Sequence, residues 1–394
     1  MPDQNTQVKK ASVLSGVRGY QEVVDHQAEL AKTGTDYLEQ RGAVANTVGR
    51  LHPKRIKLVV DEIREDTPST GTLRLVTEDG GTLPPFQAGQ YINLFVSINN
   101  VETARPYAIS SSPQSLEYYD LTVKRVDPGF VSHHLLDQIE VGERLLSTGP
   151  MGTFYHNPLF HGEQLVFLAG GSGIAPAISM IRDIAERALP YRFHLIYSSS
   201  YEVDVIFERE LKLLEEAHDF LTIDWVITRP SNGYNGHTGR LSADFLEKQI
   251  GSLESKTYYI CGPTPFNEWC EQQLAELEIK PRRIRVECNG PPSHPEQLQE
   301  WPTDLPATKE VTVTIQGKGS FKALSGEPLL NSMERNGYGA ENACRSGECS
   351  LCRVKVVSGS VLNPKEARLR ASDAQYGWCH SCVAFPTEDI EIIV

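Results

Sequence analysis

The chain has 394 residues, too long for one ordinary domain, and this length predicts two or three. Its formal net charge of −13 argues against binding to nucleic acid or to an anionic membrane surface. No basic segment precedes an apolar run, and no run approaches the roughly 18 apolar residues of a membrane span, so we expect a cytoplasmic protein without a signal peptide. In that compartment, eight cysteines favour ligands, catalytic groups or buried thiols over disulfides.

The first half of the chain predicts an extension followed by a β domain. Residues 1–52 have weak helical patterning at 17–32 and 36–41, and we interpret them as an N-terminal extension of unknown role, helical or partly disordered. From Arg55 onward, short alternating or β-branched runs are separated by turn signals. This pattern predicts an antiparallel sheet or small barrel over residues 53–157.

Two stretches of the predicted barrel could contact a phosphorylated ligand. In "ARPYAISSSP", Arg105 and Tyr107 stand two residues apart on a strand and therefore share a face, where a guanidinium could bind phosphate and a phenol could pack on a planar ring. The same pattern occurs by chance in many strands. In "VKRVDPGFVSHHLL", a glycine turn followed by Ser132 at a helix start is a second candidate phosphate cradle.

From Leu165 onward, apolar runs alternate with amphipathic stretches, which predicts a doubly wound parallel sheet over residues 158–290. "LVFLAGGSGIAPAISMI" reads as a strand, a glycine turn and a helix, so the backbone amides of the turn could approach a pyrophosphate, although a glycine trio can also be only a tight turn. "CGP" at 261–263 ends a later strand, where ligands of such sheets bind; a buried cysteine before a turn is the alternative.

A Pro-rich polar linker at 291–306 precedes the last predicted domain, residues 307–394. There Cys344, Cys349 and Cys352 give C-x4-C-x2-C, with Cys382 further on, which is the spacing of a plant-type [2Fe–2S] site. A zinc site would need Cys379 and Cys382 as a second pair and is the weaker interpretation. Buried thiols would explain one or two of these cysteines, not three in this register.

Two resemblances follow from these motifs. Residues 307–394 resemble a plant-type ferredoxin domain of β-grasp fold, through "ENACRSGECSLCRVKVVSG" and "HSCVAFP". The resemblance implies that Cys382, rather than Cys379, is the fourth cluster ligand, and that Cys379 is a small packed side chain.

Residues 54–292 resemble the ferredoxin–NADP reductase superfamily, in its branch of oxygenase-type reductases. Five family motifs stand in family order: R-x-Y-[ST] at 105–108, G-x-x-S at 129–132, GPxGxF at 149–154, GGxGIxP at 170–176 and CGP at 261–263. The predicted flavin contacts are Arg105, Pro106, Tyr107, Ala108, Val123, Lys124, Gly129, Phe130, Val131, Ser132, Gly152 and Thr153. The predicted nicotinamide-dinucleotide contacts are Gly170, Gly171, Ser172, Gly173, Ile174, Pro176, Cys261, Gly262 and Pro263.

One departure from the family affects the catalytic candidates. Ala108 replaces a Ser or Thr whose hydroxyl lies near flavin N5 in the family, so either Ser110 or a backbone N–H serves N5, or that contact is missing. The resemblance puts Cys261 beside the nicotinamide. Glu287, at the end of the last strand of this domain, is a candidate for the flavin face or a solvated carboxylate.

The three domains imply an electron circuit. A nicotinamide gives two electrons as hydride and a [2Fe–2S] cluster takes one at a time, while a flavin can do both, so the expected order is NAD(P)H, flavin, cluster, then an outside acceptor. We expect FAD rather than FMN. NADH is preferred to NADPH because "SSYEVD" is acidic and lacks an arginine, although Arg229 could bind a 2′-phosphate.

The leading hypothesis is therefore an NAD(P)H-dependent reductase that serves a separate terminal enzyme such as an oxygenase. Two alternatives stay open at this point: a reductase whose flavin acts directly on a small molecule, and a non-enzymatic redox-sensing or interaction protein.

Overall fold

The computed structural model describes residues 20–33, 47–49, 53, 55–98, 101–126, 131–287, 290–292, 294–342, 344–347, 349–365, 367 and 369–394. The chain divides into two units, residues 1–51 and residues 52–394. In the first unit, helix α1 (Tyr20–Thr33) confirms the helical pattern expected near residues 17–32. The helical stretch predicted at 36–41 lies outside the described residues.

The flavin-domain prediction of an antiparallel barrel is confirmed. Six strands form one sheet in the order β4-β3-β6-β1-β2-β5, and every neighbouring pair is antiparallel. A bridge between Ile109 and Leu121 joins the end of the first strand in this order to the last, and so closes the sheet. The elements are β1 (Ile56–Thr67), β2 (Thr70–Thr77), β3 (Tyr91–Ile98), β4 (Val101–Ala108), β5 (Tyr119–Lys124), α2 (Val131–Asp137) and β6 (Arg144–Ser147).

Alternation of side chains builds the barrel core. In β1 the alternate residues Ile56, Leu58 and Val60 are buried, and the residues between them face outward, as period-two patterning requires. Leu73 and Leu75 of β2 supply the same face on the neighbouring strand. The barrel therefore has its own apolar interior.

The second sheet is fully parallel, as predicted, with the order β10-β9-β8-β7-β11-β12. Its strands are β7 (Gln164–Gly170), β8 (Arg192–Ser199), β9 (Leu221–Ile227), β10 (His237–Thr238), β11 (Lys256–Cys261) and β12 (Ile284–Glu287). The accompanying helices are α3 (Pro158–His161), α4 (Ile174–Arg187), α5 (Glu208–Ala217), α6 (Ala243–Ile250) and α7 (Thr264–Glu276).

The strand order of this sheet reverses between β7 and β11. From β7 the chain proceeds outward through β8 and β9, whereas from β11 it proceeds in the opposite direction to β12. Such a switch point opens a crevice at the carboxyl ends of the two central strands. Gly170 ends β7 and Cys261 ends β11, so both nucleotide motifs lie at this crevice.

The C-terminal part is a mixed five-stranded sheet of order β14-β13-β19-β15-β17, with a helix packed on it, in agreement with the predicted β-grasp domain. Its strands are β13 (Glu310–Ile315), β14 (Gly319–Leu324), β15 (Arg353–Ser358), β17 (Trp378–His380) and β19 (Ile390–Ile393), with the small pair β16 (Val361–Leu362) and β18 (Phe385–Pro386) beside it. Two short helices belong to it, α8 (Leu329–Arg335) and α9 (Ala371–Gln375).

The segment predicted as a linker is partly attached to this last domain. The Trp301 ring is buried against Phe385, with 6.1 Å between ring centroids, and its indole N–H donates to the Leu305 carbonyl at 2.8 Å. Lys365 pairs with Glu300 at 2.7 Å. A large aromatic side chain inside an otherwise polar, Pro-rich stretch explains why the segment docks.

Candidate cofactor-binding sites

The two nucleotide motifs touch each other at the switch point. A Cβ placed on Gly173 would lie 1.9 Å from the Cys261 carbonyl oxygen, and one on Gly170 would lie 2.8 Å from the Phe266 ring. A Cβ on Gly262 would come within 2.5 Å of the same ring. A side chain at any of these three positions would displace its neighbours, so the glycines allow the GGxGIxP turn and the CGP turn to pack closely together.

The glycine loop leads directly into helix α4. Gly171 adopts a left-handed φ of 55°, and Gly171–Gly173 forms a single 3₁₀ turn before the helix begins at Ile174. Ile174 and Pro176 are buried in the first helical turn and anchor it to the sheet, while Ser172 is half-buried. The helix N-terminus therefore points at the crevice, where a pyrophosphate would be stabilised.

A cation from the barrel lies at the same loop. The Lys124 ammonium stands 3.5 Å from the position that a Gly171 Cβ would occupy, so the end of β5 reaches the nucleotide loop. The Tyr197 hydroxyl donates to the Gly171 carbonyl at 3.1 Å and holds that residue from the other side. Lys124 as a flavin contact stays a prediction; its amine lies beside the nucleotide loop.

Cys261 and Glu287 are neighbours in register on β11 and β12. Cys261 is almost fully buried and Glu287 is half-buried, and the Asn267 side chain donates to the Glu287 carbonyl at 2.8 Å. These two of the three catalytic candidates therefore stand at the carboxyl ends of neighbouring strands, beside Gly262 and Pro263.

The flavin motif lies on β4, with Thr103, Arg105 and Tyr107 on one face by strand alternation. Arg105 Nη1 donates to Thr103 Oγ1 at 2.7 Å and to the Ala104 carbonyl at 2.8 Å. Burial, together with the charge of Arg345, lowers the pKa of Arg105 to about 10. Burial raises the pKa of Tyr107, whose ring packs against the barrel core. A strand face with a desolvated guanidinium and an aromatic ring suits a phosphorylated, planar ligand.

Ser110 has its polar contacts inside the barrel. It is fully buried, its hydroxyl donates to the Asp120 carbonyl at 3.0 Å, and it shares a hydrogen bond of 2.9 Å with Thr122. Its own carbonyl accepts from Arg182 Nη1 of α4 at 2.6 Å. Ala108 ends β4 opposite Tyr91, with half-buried Pro106 two residues earlier.

The remaining flavin candidates line the strand and turns nearby. Val123 is fully buried, and the Ser132 hydroxyl accepts from the Val126 amide at 3.1 Å, next to buried Val131. Gly129 and Phe130 lie outside the described residues.

The GPxGxF turn is held against both neighbouring sheets. Gly152 has a φ of 100°, and a Cβ there would lie 2.8 Å from the Tyr91 ring. The Thr153 carbonyl accepts from Arg285 of β12 at 2.7 Å, which ties this turn to the nucleotide domain.

The cysteine loop brings its thiols together in two pairs. The Cys349 thiol donates to Cys344, as do the Ser346 and Cys349 amides, and these bonds lower the pKa of Cys344. The Cys382 thiol donates to Cys352, whose pKa is also lowered. Of the four, only Cys349 is exposed.

This donor set fits a [2Fe–2S] cluster. Among the residues that the structure describes, no three His, Cys, Asp or Glu side chains converge as ligands of a single metal ion. Two thiol pairs instead match two irons, each of which takes two thiolates. Arg345, Gly347 and Ser350 have left-handed φ of 53°, 80° and 59°, which turns amides such as that of Gly347, a donor to Cys382, toward the sulfurs.

Cys379 lies apart from this set. It packs in the apolar core of the C-terminal sheet, opposite Val354, and burial raises its pKa to about 12. The expectation of a small packed side chain at Cys379 is confirmed.

Sequence reasoning missed one cluster altogether. Glu334 of α8 and Arg345 of the cysteine loop, both buried, bond the Thr103 hydroxyl beside Arg105. The sequence carries no motif for this cluster, because its members are 231 and 242 residues away from Thr103 along the chain. We call Thr103, Glu334 and Arg345 the interdomain charge cluster.

The fold and these sites define a class of protein: an oxidoreductase with a flavin barrel, a pyridine-nucleotide domain and an iron–sulfur domain on one chain. Family models match each part: the oxidoreductase FAD-binding domain at 57–156, the oxidoreductase NAD-binding domain at 167–272 and the 2Fe-2S iron-sulfur cluster binding domain at 313–387. The cofactors of this class are FAD, NAD(H) and a [2Fe–2S] cluster.

Known relatives agree along most of the chain. NADH oxidoreductase HCR of Escherichia coli K12 is 30% identical over 335 residues, 85% of this chain and 96% of that protein. The glycine betaine monooxygenase reductase subunit of Pseudomonas aeruginosa is 28% identical over 78% of this chain and 87% of its own length. The phthalate dioxygenase reductase structure aligns with a TM-score of 0.63 at 21% identity, over 86% of this chain and 97% of that one.

The chain therefore belongs to the ferredoxin–NADP reductase superfamily, as an NAD(P)H-dependent reductase with a C-terminal plant-type [2Fe–2S] domain. Within the described residues, no helix combines the length and apolar character needed to cross a membrane.

Proposed function

We propose that this chain is the reductase component of a multicomponent oxygenase system, which takes electrons from NADH and delivers them from its cluster to a separate protein. One observation carries the proposal: the nucleotide loop and the cluster loop both contact the flavin barrel. Lys124 of the barrel reaches Gly171, and Thr103 of the barrel bonds Arg345, the residue after Cys344. The spatial order of the three sites is thus the order of the electron path.

At the nucleotide-binding end, the chain binds the dinucleotide and orients its nicotinamide ring. The pyrophosphate would bind the amides of the glycine turn at the start of α4, and Lys124 adds a positive charge there. Cys261 and Glu287, side by side at the strand ends, fix the depth and orientation of the nicotinamide ring at the barrel.

At the barrel, Arg105 binds flavin phosphate and Tyr107 packs on the ring system. When bound, a flavin accepts hydride from a nicotinamide and passes electrons singly to a cluster. Arg182 and Ser179 of α4 hold the Ser110 and Ser111 carbonyls, which fixes the flavin strand relative to the nucleotide loop. With both Ala108 and the Ser110 hydroxyl unsuited to N5, a backbone N–H is the donor that we propose for that atom.

At the exit, the four thiols hold the cluster, and the exposed side of their loop faces the partner. Cys349 is exposed, and the neighbouring Leu351 is 47% exposed, whereas Cys344, Cys352 and Cys382 are buried. An apolar side chain beside the exposed ligand gives a partner a short, dry approach to the cluster.

NADH is the proposed donor because the turn after β8 presents a carboxylate. Glu202 accepts from the Ser231 amide at 2.9 Å and hydroxyl at 2.7 Å, and these bonds lower its pKa, so it stays ionised and would repel a 2′-phosphate. Arg229, which is exposed, donates to the Tyr201 hydroxyl at 3.3 Å. The cytoplasmic location remains a prediction from the sequence.

The test is anaerobic stopped-flow reduction of the flavin and cluster by NADH, followed by reduction of cytochrome c. We expect rapid bleaching of the flavin, then of the cluster, with NADPH at least about tenfold less effective, as one unfavourable charge contact implies. Failure of NADH to reduce the cluster or the dye would overturn the proposal.

A cysteine variant tests whether electrons leave the protein from the cluster. Cys349→Ser should remove cluster absorption and cytochrome c reduction, while flavin content and flavin reduction by NADH persist. Cytochrome c reduction at the wild-type rate without a cluster would instead indicate a reductase that acts directly from its flavin.

A further inference from the structure

The interdomain charge cluster joins the ferredoxin domain to the flavin strand in the interior. Thr103, Glu334 and Arg345 are 3%, 6% and 5% exposed. Thr103 belongs to β4 of the barrel, two residues before Arg105, whereas Glu334 is in α8 and Arg345 follows the first cluster ligand. Charged groups this deeply buried need close compensation.

The hydrogen bonds converge on the Thr103 hydroxyl. It accepts from Arg105 Nη1 at 2.7 Å and from Arg345 Nη2 at 3.2 Å, and it donates to Glu334 Oε2 at 3.1 Å. Arg345 Nη2 also bonds Glu334 Oε1, and Arg345 Nη1 donates to Asn331 Oδ1 at 3.0 Å. Glu334 Oε2 lies 3.8 Å from Arg105 Nη1. One carboxylate therefore serves two guanidiniums from two domains.

This arrangement leaves one positive charge in excess. Arg105 and Arg345 together carry two positive charges, against the single negative charge of Glu334. The lowered pKa of Arg105, caused by burial and by Arg345, reflects that excess. In addition, Arg345 Nε is buried and has no hydrogen-bond partner among the described residues. An anion placed here would offset the charge and would find an unused N–H donor nearby.

We propose that Arg345 of the ferredoxin domain is part of the flavin-phosphate site, so that Arg105 and Arg345 recognise the phosphate jointly across the domain boundary. The proposal rests on the proposed role of Arg105. It implies linkage: since the phosphate and the docked domain stabilise each other, flavin binds more tightly when the domain is docked, and the domain docks more firmly when flavin is bound. Glu334 and Thr103 are positioning residues that align the two guanidiniums.

The test compares ligands that differ in the phosphate. Full-length protein freed of flavin but retaining its cluster is titrated with FMN, FAD and riboflavin, and binding is followed by quenching of flavin fluorescence. For Arg345→Gln we expect affinity for FMN and FAD to fall about tenfold, since one charge is lost near the phosphate, with riboflavin affinity unchanged. Arg345→Lys should restore most of the loss. Cluster absorption, recorded in each sample, verifies that the loop after Cys344 is intact.

A matched control is available on the same domain. Arg335 ends α8, is 54% exposed and pairs with Glu327, so Arg335→Gln removes an equal charge away from the site and should change none of the three affinities. Inorganic phosphate should compete with FMN in wild type and compete about tenfold less well in Arg345→Gln.

Each outcome is decisive. Equal weakening of riboflavin and FMN, or no weakening of either, would overturn the shared phosphate site. Arg105→Gln separates this failure from failure of the proposed flavin site. If Arg105→Gln selectively weakens FMN while Arg345→Gln does not, only the role of Arg345 is lost. If Arg105→Gln shows no selectivity for the phosphate, the assignment of Arg105 itself is wrong.

Discussion

The barrel is held on two sides, and the two contacts are built differently. On the nucleotide-domain side, hydrogen bonds are spread over several elements: Arg182 and Ser179 bond the Ser110 and Ser111 carbonyls at 2.6 and 2.7 Å. Ser69 bonds Asp204, and Gln114 bonds Asp183, both at 2.9 Å. On the ferredoxin side, the buried polar contacts centre on one carboxylate, that of Glu334.

The difference shows how each contact fails. Each of these separate hydrogen bonds contributes only about 1 kcal/mol, so we expect the strand to stay in place when one of them is lost. In the interdomain charge cluster, removal of the single carboxylate leaves two guanidiniums without a compensating negative charge. The nucleotide side is therefore robust, and the ferredoxin side depends on a few atoms.

We expect the largest effect from a variant that loses the iron–sulfur cluster on the ferredoxin side. Cys382→Ala should abolish cluster absorption, because one iron loses a thiolate, while NADH still reduces the flavin through the untouched nucleotide side. Cys379→Ala, a buried cysteine three residues away, should keep the cluster. The measurement is the visible spectrum with anaerobic NADH titration; a cluster that survives in Cys382→Ala but not in Cys379→Ala would reverse the ligand assignment.

The next largest effect should come from a substitution in the interdomain charge cluster. Glu334→Leu leaves buried Arg345 and half-buried Arg105 without their carboxylate, and we expect the free energy of unfolding of the ferredoxin domain to fall by about 3–5 kcal/mol. Urea titration of the flavin-free protein, followed by cluster absorption, measures it. Glu327→Leu, which breaks the more exposed pair with Arg335, should cost less than about 1 kcal/mol. Equal costs for the two variants would mean that the ferredoxin side is as evenly spread as the other.

A pH effect probes the nucleotide side, where the barrel chain enters the second sheet. His156 bonds the Tyr259 hydroxyl at 3.1 Å, and burial, with His161 nearby, lowers its pKa from 6.5 to about 4. In the unfolded chain the imidazole binds its proton near pH 6.5, so the free energy of unfolding should fall as the pH drops from 6.5 toward 4. The full shift corresponds to about 3 kcal/mol, and because solvent screens the half-buried imidazole we expect a loss of about 2 kcal/mol.

The control for this effect is a histidine with little burial. His156→Gln should flatten the stability profile between pH 7 and 4.5, measured by urea midpoints, whereas His294→Gln at a 63% exposed site should not. An unchanged slope in His156→Gln would assign the acid sensitivity to other groups.

The smallest effects should come from removing single hydrogen bonds between the barrel and the nucleotide domain. Ser179→Ala removes a buried hydrogen bond and should cost about 1 kcal/mol, and Gln114→Ala, at an exposed bond, about 0.5 kcal/mol or less. The double variant should equal the sum of the two, measured by urea denaturation. A cost well below the sum would show that these bonds act as one unit, because the first substitution would then already have broken the second bond.

Sequence patterns predicted the three folds and the nucleotide loops because these depend on local signals. Gly170, Gly173 and Gly262 stand in short glycine turns that directly follow apolar strands, and the spacing of Cys344, Cys349 and Cys352 is set by one loop. The placement of Lys124 beside Gly171, and of Glu334 between two arginines, depends on how separate domains dock. No local pattern encodes that docking, so these contacts could be found only in three dimensions.

The attachment of Trp301 and Glu300 to the ferredoxin domain has a kinetic consequence. A stretch that looked like a sixteen-residue tether, 291–306, contributes its second part to the body of the domain, so the remaining tether is short. A short linker keeps the attached ferredoxin domain at an effective concentration on the order of millimolar. A detached ferredoxin domain would have to be supplied at such a concentration to match the covalently joined one, and its reduction would then depend on collision rather than on reorientation within one chain.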